Sequence, residues 1–256
     1  MAKKFDTSKI IEPIMRFVNM KGVIALKDGM LAILPLTVIG SVFLIIGQIP
    51  SEAINTAIAG VFGKSWTEPF MQVHAGTFAI MGLIACFSIG YAYAKNESIE
   101  PLPSGVLSVA AFFITLRSSF TTPDGETVDA LARVWFGGQG IVGAIIIGLS
   151  VGAIYSFFIK NNIVIKMPKQ VPDAISKQFA AMIPAFAIFL LSMIVYIVAK
   201  AASGGTFIEW IYSVIQVPLQ GLSDTLPGVI GIAFFISFIC AWSVCCQWYR
   251  HLYLDC

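Results

Sequence analysis

Charge is scarce in this 256-residue chain: Asp, Glu, Lys and Arg make up 12% of it, where a soluble domain carries about 25%. That deficit excludes an ordinary water-covered surface. The net charge of +2 excludes bulk electrostatic attraction to nucleic acid. Histidine is nearly missing, with only His74 and His251. There is no Walker loop, no Gly-x-Gly-x-x-Gly after a strand and no His-Glu-x-x-His. No nucleophile–base–acid set stands out, so no catalytic residue is assigned. No Asp or Glu falls near the middle of an apolar run, which removes the usual mark of a proton-coupled path.

Cysteine is sparse and unevenly placed. Cys86 lies within an apolar run, where a thiol behaves as a small hydrophobe. Cys240, Cys245, Cys246 and Cys256 crowd the end of the chain beside His251. Adjacent cysteines lack the two-residue gap of a zinc knuckle, and one histidine is too few. No metal or cofactor is expected. His74, alone at the start of an apolar run, reads as structural.

What is present is apolar. Hydrophobic residues make up 57% of the chain, with a mean hydropathy of +0.85. They gather in runs at 31–49, 73–94, 104–116, 137–159, 182–199 and 227–242. The first is roughly 28 Å long as a helix, close to a hydrocarbon core. Pro35 is tolerable inside it because neighbouring groups in a membrane bundle satisfy the freed carbonyl. The third is short, so a re-entrant course stands beside a full crossing. In the fourth, Gly140, Gly143, Ala144, Gly148 and Gly152 recur at spacings that let helix backbones approach closely. General tolerance of Gly in membrane helices explains them equally well. The fold class expected is all-α: a polytopic membrane protein of about six transmembrane helices, with N-terminal and linking amphipathic helices.

Between the runs lie the connections. The N-terminus is not read as a secretory signal, because Glu12, Pro13, Arg16, Lys21 and Asp28 interrupt it. It reads as an interfacial helix with Ile10, Ile11, Ile14 and Val18 on one face. Trp66, Tyr91 and Tyr93 fit interfacial anchors. A Thr-Pro-Asp-Gly turn at 122–125 marks a polar connection over 117–136. Phe207, Ile208, Ile211, Ile215 and Leu219 share helical spacing.

The basic residues orient the chain. With the N-terminus inside and six crossings, twelve lie inside: Lys3, Lys4, Lys9, Arg16, Lys21, Lys27, Lys95, Lys160, Lys166, Lys169, Lys177 and Arg250. Four lie outside: Lys64, Arg117, Arg133 and Lys200. A cytoplasmic N-terminus follows. If the third run does not cross, the later loops must be counted again. The basic segment 159–184 is then a cytoplasmic linker, with Pro168 and Pro172 before a helix at Asp173, which can cap its first turn. On physics alone its lysines read as partners of lipid phosphates.

The same segment carries a family resemblance. The tracts are IALKDGMLAILPLTVIGSVFLII (24–46), EPLPSGVLSVAAFF (100–113), GGQGIVGAIIIGLSVGAIYSFFIKNNIVIKMPKQVPDAISKQFAAMIP (137–184) and IQVPLQGLSDTLPGV (215–229). Together they resemble the membrane IIC permease of the sugar phosphotransferase system, in its lactose/cellobiose/chitobiose branch. The long tract is specific; each short one alone is weak.

The resemblance implies a homodimer in the bacterial plasma membrane. Such a permease takes a disaccharide such as cellobiose and presents it to a phosphorylated IIB subunit, carrying no phosphorylated residue itself. It also implies about ten spans, with the sugar-binding residues in the second half. Residues 1–239 then form the N-terminal part of the membrane domain, and 240–256 a divergent tail, with a shift of reading frame near 239–242 as its expected origin. His251 inherits no role. No substrate-binding residue is assigned in this chain, which reads as an incomplete, non-transporting fragment. A secondary transporter or channel subunit, and a membrane dimerisation or scaffold module, stand as alternatives. The glycines of the fourth run are expected to help form the contact between copies.

Overall fold

The computed structural model describes residues 18–49, 52–63, 65–121, 127–165 and 173–217. Apolar sequence in these segments becomes helix, because a chain in hydrocarbon must satisfy its backbone groups internally. Among the described residues, four stretches are long and apolar enough to cross a bilayer: Lys21–Gly47, Glu68–Asn96, Gly138–Lys160 and Gln178–Ala202. Pro101–Ile114 is a shorter apolar helix. Five of the six runs read from the sequence are therefore helical. The sixth, at 227–242, lies outside the described residues, as do Ile10, Ile11, Ile14 and the tail with its cysteines and His251.

The first stretch is two helices, α1 (Lys21–Leu31) and α2 (Leu34–Gly47). The break falls where Pro35 enters the first turn of α2, where a missing N–H costs nothing. The structure corrects the reading of residues 21–30 as interfacial. Their lysines and Asp28 suggest a segment lying at the interface, yet α1 buries Ala25 and Gly29. A Cβ at Gly29 would lie 2.7 Å from the Ile89 Cα, so the two backbones nearly touch.

After α3 (Glu52–Phe62), the second long stretch is α4 (Glu68–Thr77), a 3-10 turn at Phe78–Ile80, and α5 (Met81–Asn96). Next is α6 (Pro101–Ile114), roughly 21 Å long by its residue count. The polar connection holds a two-stranded antiparallel ladder, β1 (Ser119–Thr121) and β2 (Thr127–Asp129), with Phe120 opposite Val128. The Thr-Pro-Asp-Gly turn between the strands lies outside the described residues. Two 3-10 turns (Arg133–Phe136 and Gly138–Gly140) lead into α7 (Ile141–Lys160).

The chain continues with α8 (Asp173–Ala180), beginning where the sequence placed a helix start, and α9 (Met182–Ser203). α9 ends at Gly204, whose φ of +67° supplies the left-handed terminus. A capping box opens α10 (Phe207–Ile211): Thr206 N donates to Glu209 Oε2 at 2.7 Å, and Glu209 N donates to Thr206 Oγ1 at 3.4 Å.

Two compact units divide the chain at Trp210–Ile211. The described part of the second holds a π-helical turn at Tyr212–Gln216. In the first unit, α5 is central and touches α1, α6 and α7. Cys86, Phe112, Ile147, Val151, Tyr155, Ile188 and Ile208 form its buried core.

Small residues set the packing. A Cβ at Gly148 would sit 2.9 Å from the Cys86 carbonyl oxygen, and one at Gly152 would sit 2.7 Å from the Tyr93 Cβ. Gly148 and Gly152 therefore face α5, and Gly143 faces Ile208, all within one chain, which corrects the expectation that these glycines join two copies. Tyr93 is packed there rather than free at an interface. On the other side of α5, Ser104 Oγ donates to the Gly90 carbonyl at 2.8 Å, and the Cys86 thiol donates to the Ser108 carbonyl at 3.3 Å.

Candidate functional site

Two polar features meet at one end of the first unit, where α1 begins and α5 and α7 end. The first is a carboxylate shared by two cations. Glu97 follows α5 directly, and its side chain is 7% exposed. Lys21 Nζ reaches Glu97 Oε1 at 2.8 Å, and Lys160 Nζ meets Oε2. A buried carboxylate needs such partners, since desolvating an unpaired charge costs several kcal/mol (about that order). Ser98, at φ +59°, turns the chain immediately afterwards. Glu97 thus ties the start of α1 to the end of α7. In sequence Glu97 lies in a short polar stretch, KNESIEPLP (95–103); the two lysines are distant in sequence, and no local pattern joins them.

The second feature is a groove between α1 and α5, with a volume of about 350 Å³. Asp28 and Ala32 form one wall; Phe87, Ser88, Tyr91, Ala92, Lys95 and Asn96 form the other. Asn96 Nδ2 donates to Asp28 Oδ2 at 3.0 Å, and Lys27 Nζ stands 3.7 Å from Asp28 Oδ1. Phe87 and Tyr91 stack with centroids 6.1 Å apart. Tyr91, read as an interfacial anchor, lines this groove.

The remaining sequence candidates are dispersed. His74 stacks on Phe78 at 5.3 Å, and its buried Nδ1 has no hydrogen-bond partner. Trp66 meets Phe70 edge-on at 6.0 Å. Among the described residues, no cluster of three His, Cys, Asp or Glu side chains has a metal-binding arrangement. The site offers ion pairing and a groove with charged and apolar walls, and among the described residues no nucleophile set stands beside a base.

A bundle of long apolar helices, with the Glu97 ion pairs at one end, defines a polytopic membrane protein. Residues 27–242 match the family model described as "Phosphotransferase system, EIIC", and the chain belongs to that family. It is 35% identical over 210 residues to the lichenan permease IIC component of Bacillus subtilis, covering 80% of this chain and 46% of that protein. Against the cellobiose-specific EIIC component of Geobacillus stearothermophilus it is 30% identical over 225 residues, covering 86% and 49%. The crystal structure of ChbC, the IIC component from the N,N'-diacetylchitobiose-specific phosphotransferase system, superposes with a TM-score of 0.81. It is 29% identical and covers 89% of this chain and 54% of that one. The chain spans about half the length of these relatives.

Proposed function

We propose that this chain contributes the first half of the membrane domain of a disaccharide permease, working with a phosphorylated IIB subunit. The observation that carries the reading is that the apolar bundle has the fold of a chitobiose-specific IIC component. In this reading the half-domain is scaffold: it positions the membrane domain, and sugar is held by residues beyond the tracts matched here. The protein is a homodimer in a bacterial plasma membrane with its N-terminus in the cytoplasm. That orientation puts Lys21, Lys27, Lys95 and Lys160 on the positive side.

A chimaera tests the assignment. Residues 27–217 replace the matching region of the lichenan permease IIC component, and uptake of labelled cellobiose is measured in cells with and without the soluble phosphotransferase proteins. The expected result is accumulation of phosphorylated sugar only when those proteins are present. A chimaera that inserts normally but gives uptake independent of them supports a secondary transporter instead.

A further inference from the structure

We propose that the groove between α1 and α5 is a binding site for the head group of a glycerophospholipid. The phosphate sits on Lys95, and a hydrogen-bond donor of the head group sits on Asp28. The inference needs the chain to be in a bilayer and does not depend on the sugar it serves.

Charge is confined to one end of the groove. Asp28, Lys95 and Asn96 stand there, while Ala32 and Phe87, with the Ser88 hydroxyl beside them, lie further along the helices. From Asn96 to Phe87 the α5 backbone falls by roughly 13 Å. Phe87, Tyr91 and Lys95 recur at four-residue spacing, on one face of the helix. Phe87 also packs against α6, since a Cβ at Gly105 would lie 2.7 Å from its ring. This face of α5 is thus flanked by α1 and α6, while Gly148 and Gly152 of α7 meet Cys86, Ile89 and Tyr93.

A disaccharide carries hydroxyls on all sides and would leave several unmatched against Phe87, Ala32 and Ala92, at the cost of their desolvation. A molecule with one polar end and an apolar stem matches the gradient. The volume of about 350 Å³ is that of a small-ligand site and takes a head group with the first carbons below it.

Charge selects the head group. Asp28 is already engaged by Asn96 and Lys27, but a carboxylate has about four lone-pair sites. It retains room for one more donor, an ammonium or a hydroxyl. Lys95 is exposed and makes no ion pair among the described residues, so it is available to a phosphate. Phosphatidylethanolamine and phosphatidylglycerol carry both groups. Phosphatidylcholine carries the phosphate without the donor.

Native mass spectrometry of the purified full chain in detergent, with each of the three lipids at matched acyl length, tests the site. Phosphatidylethanolamine and phosphatidylglycerol should be retained about tenfold over phosphatidylcholine, the factor of one charge-assisted hydrogen bond. Lys95→Gln should lower retention of all three. Asp28→Ala should remove the preference over phosphatidylcholine. Ala32→Trp fills the groove without touching its charges and should lower retention throughout, while Lys95→Arg should keep it. Helicity by circular dichroism accompanies each variant, and Lys95→Arg secures the comparison if Lys95→Gln fails to fold. Wild-type retention in both Lys95→Gln and Ala32→Trp overturns the proposal. So does displacement of lipid by inorganic phosphate or by a disaccharide. If Ala32→Trp alters only the dimer fraction, the groove is an interface between copies and the lipid site is rejected.

Discussion

Glu97 and Lys160, 63 positions apart, share an ion pair that joins the end of α7 to the turn after α5. Lys21 of α1 takes the other carboxylate oxygen at 2.8 Å. Three helix ends therefore depend on one side chain.

Removing that charge leaves two lysines facing each other across a buried amide. Glu97→Gln should lower stability by about 1–2 kcal/mol, below the full cost of breaking a buried pair because both lysines remain largely exposed. Lys160→Met should cost less, since Lys21 still partners the carboxylate. Thermal unfolding in detergent measures both, and equal losses would remove the shared-carboxylate account.

The packing of α5 leaves no room at Gly90 or Gly148. A Cβ at Gly90 would lie 3.0 Å from the Ser108 Cβ and 3.2 Å from the Ser104 carbonyl oxygen. Gly90→Leu and Gly148→Leu should each reduce the yield of folded protein severely, with losses above about 2 kcal/mol. Gly60→Ala meets nothing within 4 Å and should be neutral or stabilising, because Ala is the better helix former. If Gly148→Leu folds normally and changes only the dimer fraction, α7 packs between copies after all.

Ser104 is fully buried and donates to the Gly90 carbonyl at 2.8 Å. Ser104→Ala should cost about 0.6 kcal/mol, the average for an interhelical hydrogen bond in a membrane protein. Denaturant titration of the pair Ser104→Ala and Ser104→Val separates the lost bond from added bulk; a larger loss in the alanine variant would point to packing.

α6 and the chain after it should cross the membrane. In a cysteine-free background, Ser98→Cys and Val128→Cys are expected to react with an impermeant thiol reagent from opposite faces, Ser98→Cys from inside. Reaction of both from one face would make α6 re-entrant and move every later loop.

Much of this architecture was legible in composition. The runs at 104–116 and 182–199 lie close to α6 and α9, because hydrocarbon admits helix almost alone. The helix start at Asp173 was legible from Pro168 and Pro172, which disfavour helix just before it. From sequence Pro35 reads as a residue within one helix; in the fold it opens a second one, where its missing N–H is harmless. The antiparallel strands Ser119–Thr121 and Thr127–Asp129 are not legible in the sequence, since three-residue strands carry little periodic signal. Lys21 and Asp28 give α1 the look of an interfacial helix. Their partners, Glu97 and Asn96, lie across the bundle and appear only when the chain is folded.

The sequence by itself determined the solvent, the helical class, the approximate spans and the family, because each follows from local apolar runs and ordered tracts. Only the tertiary structure decided which glycines face which helix, that Tyr91 lines a groove, and that Glu97 holds Lys21 and Lys160 together. Helix faces and ion pairs depend on how separate segments rotate against one another, and small residues permit that close approach from more than one direction. The physical reason is range: hydropathy acts residue by residue, whereas a buried carboxylate finds its cations through space.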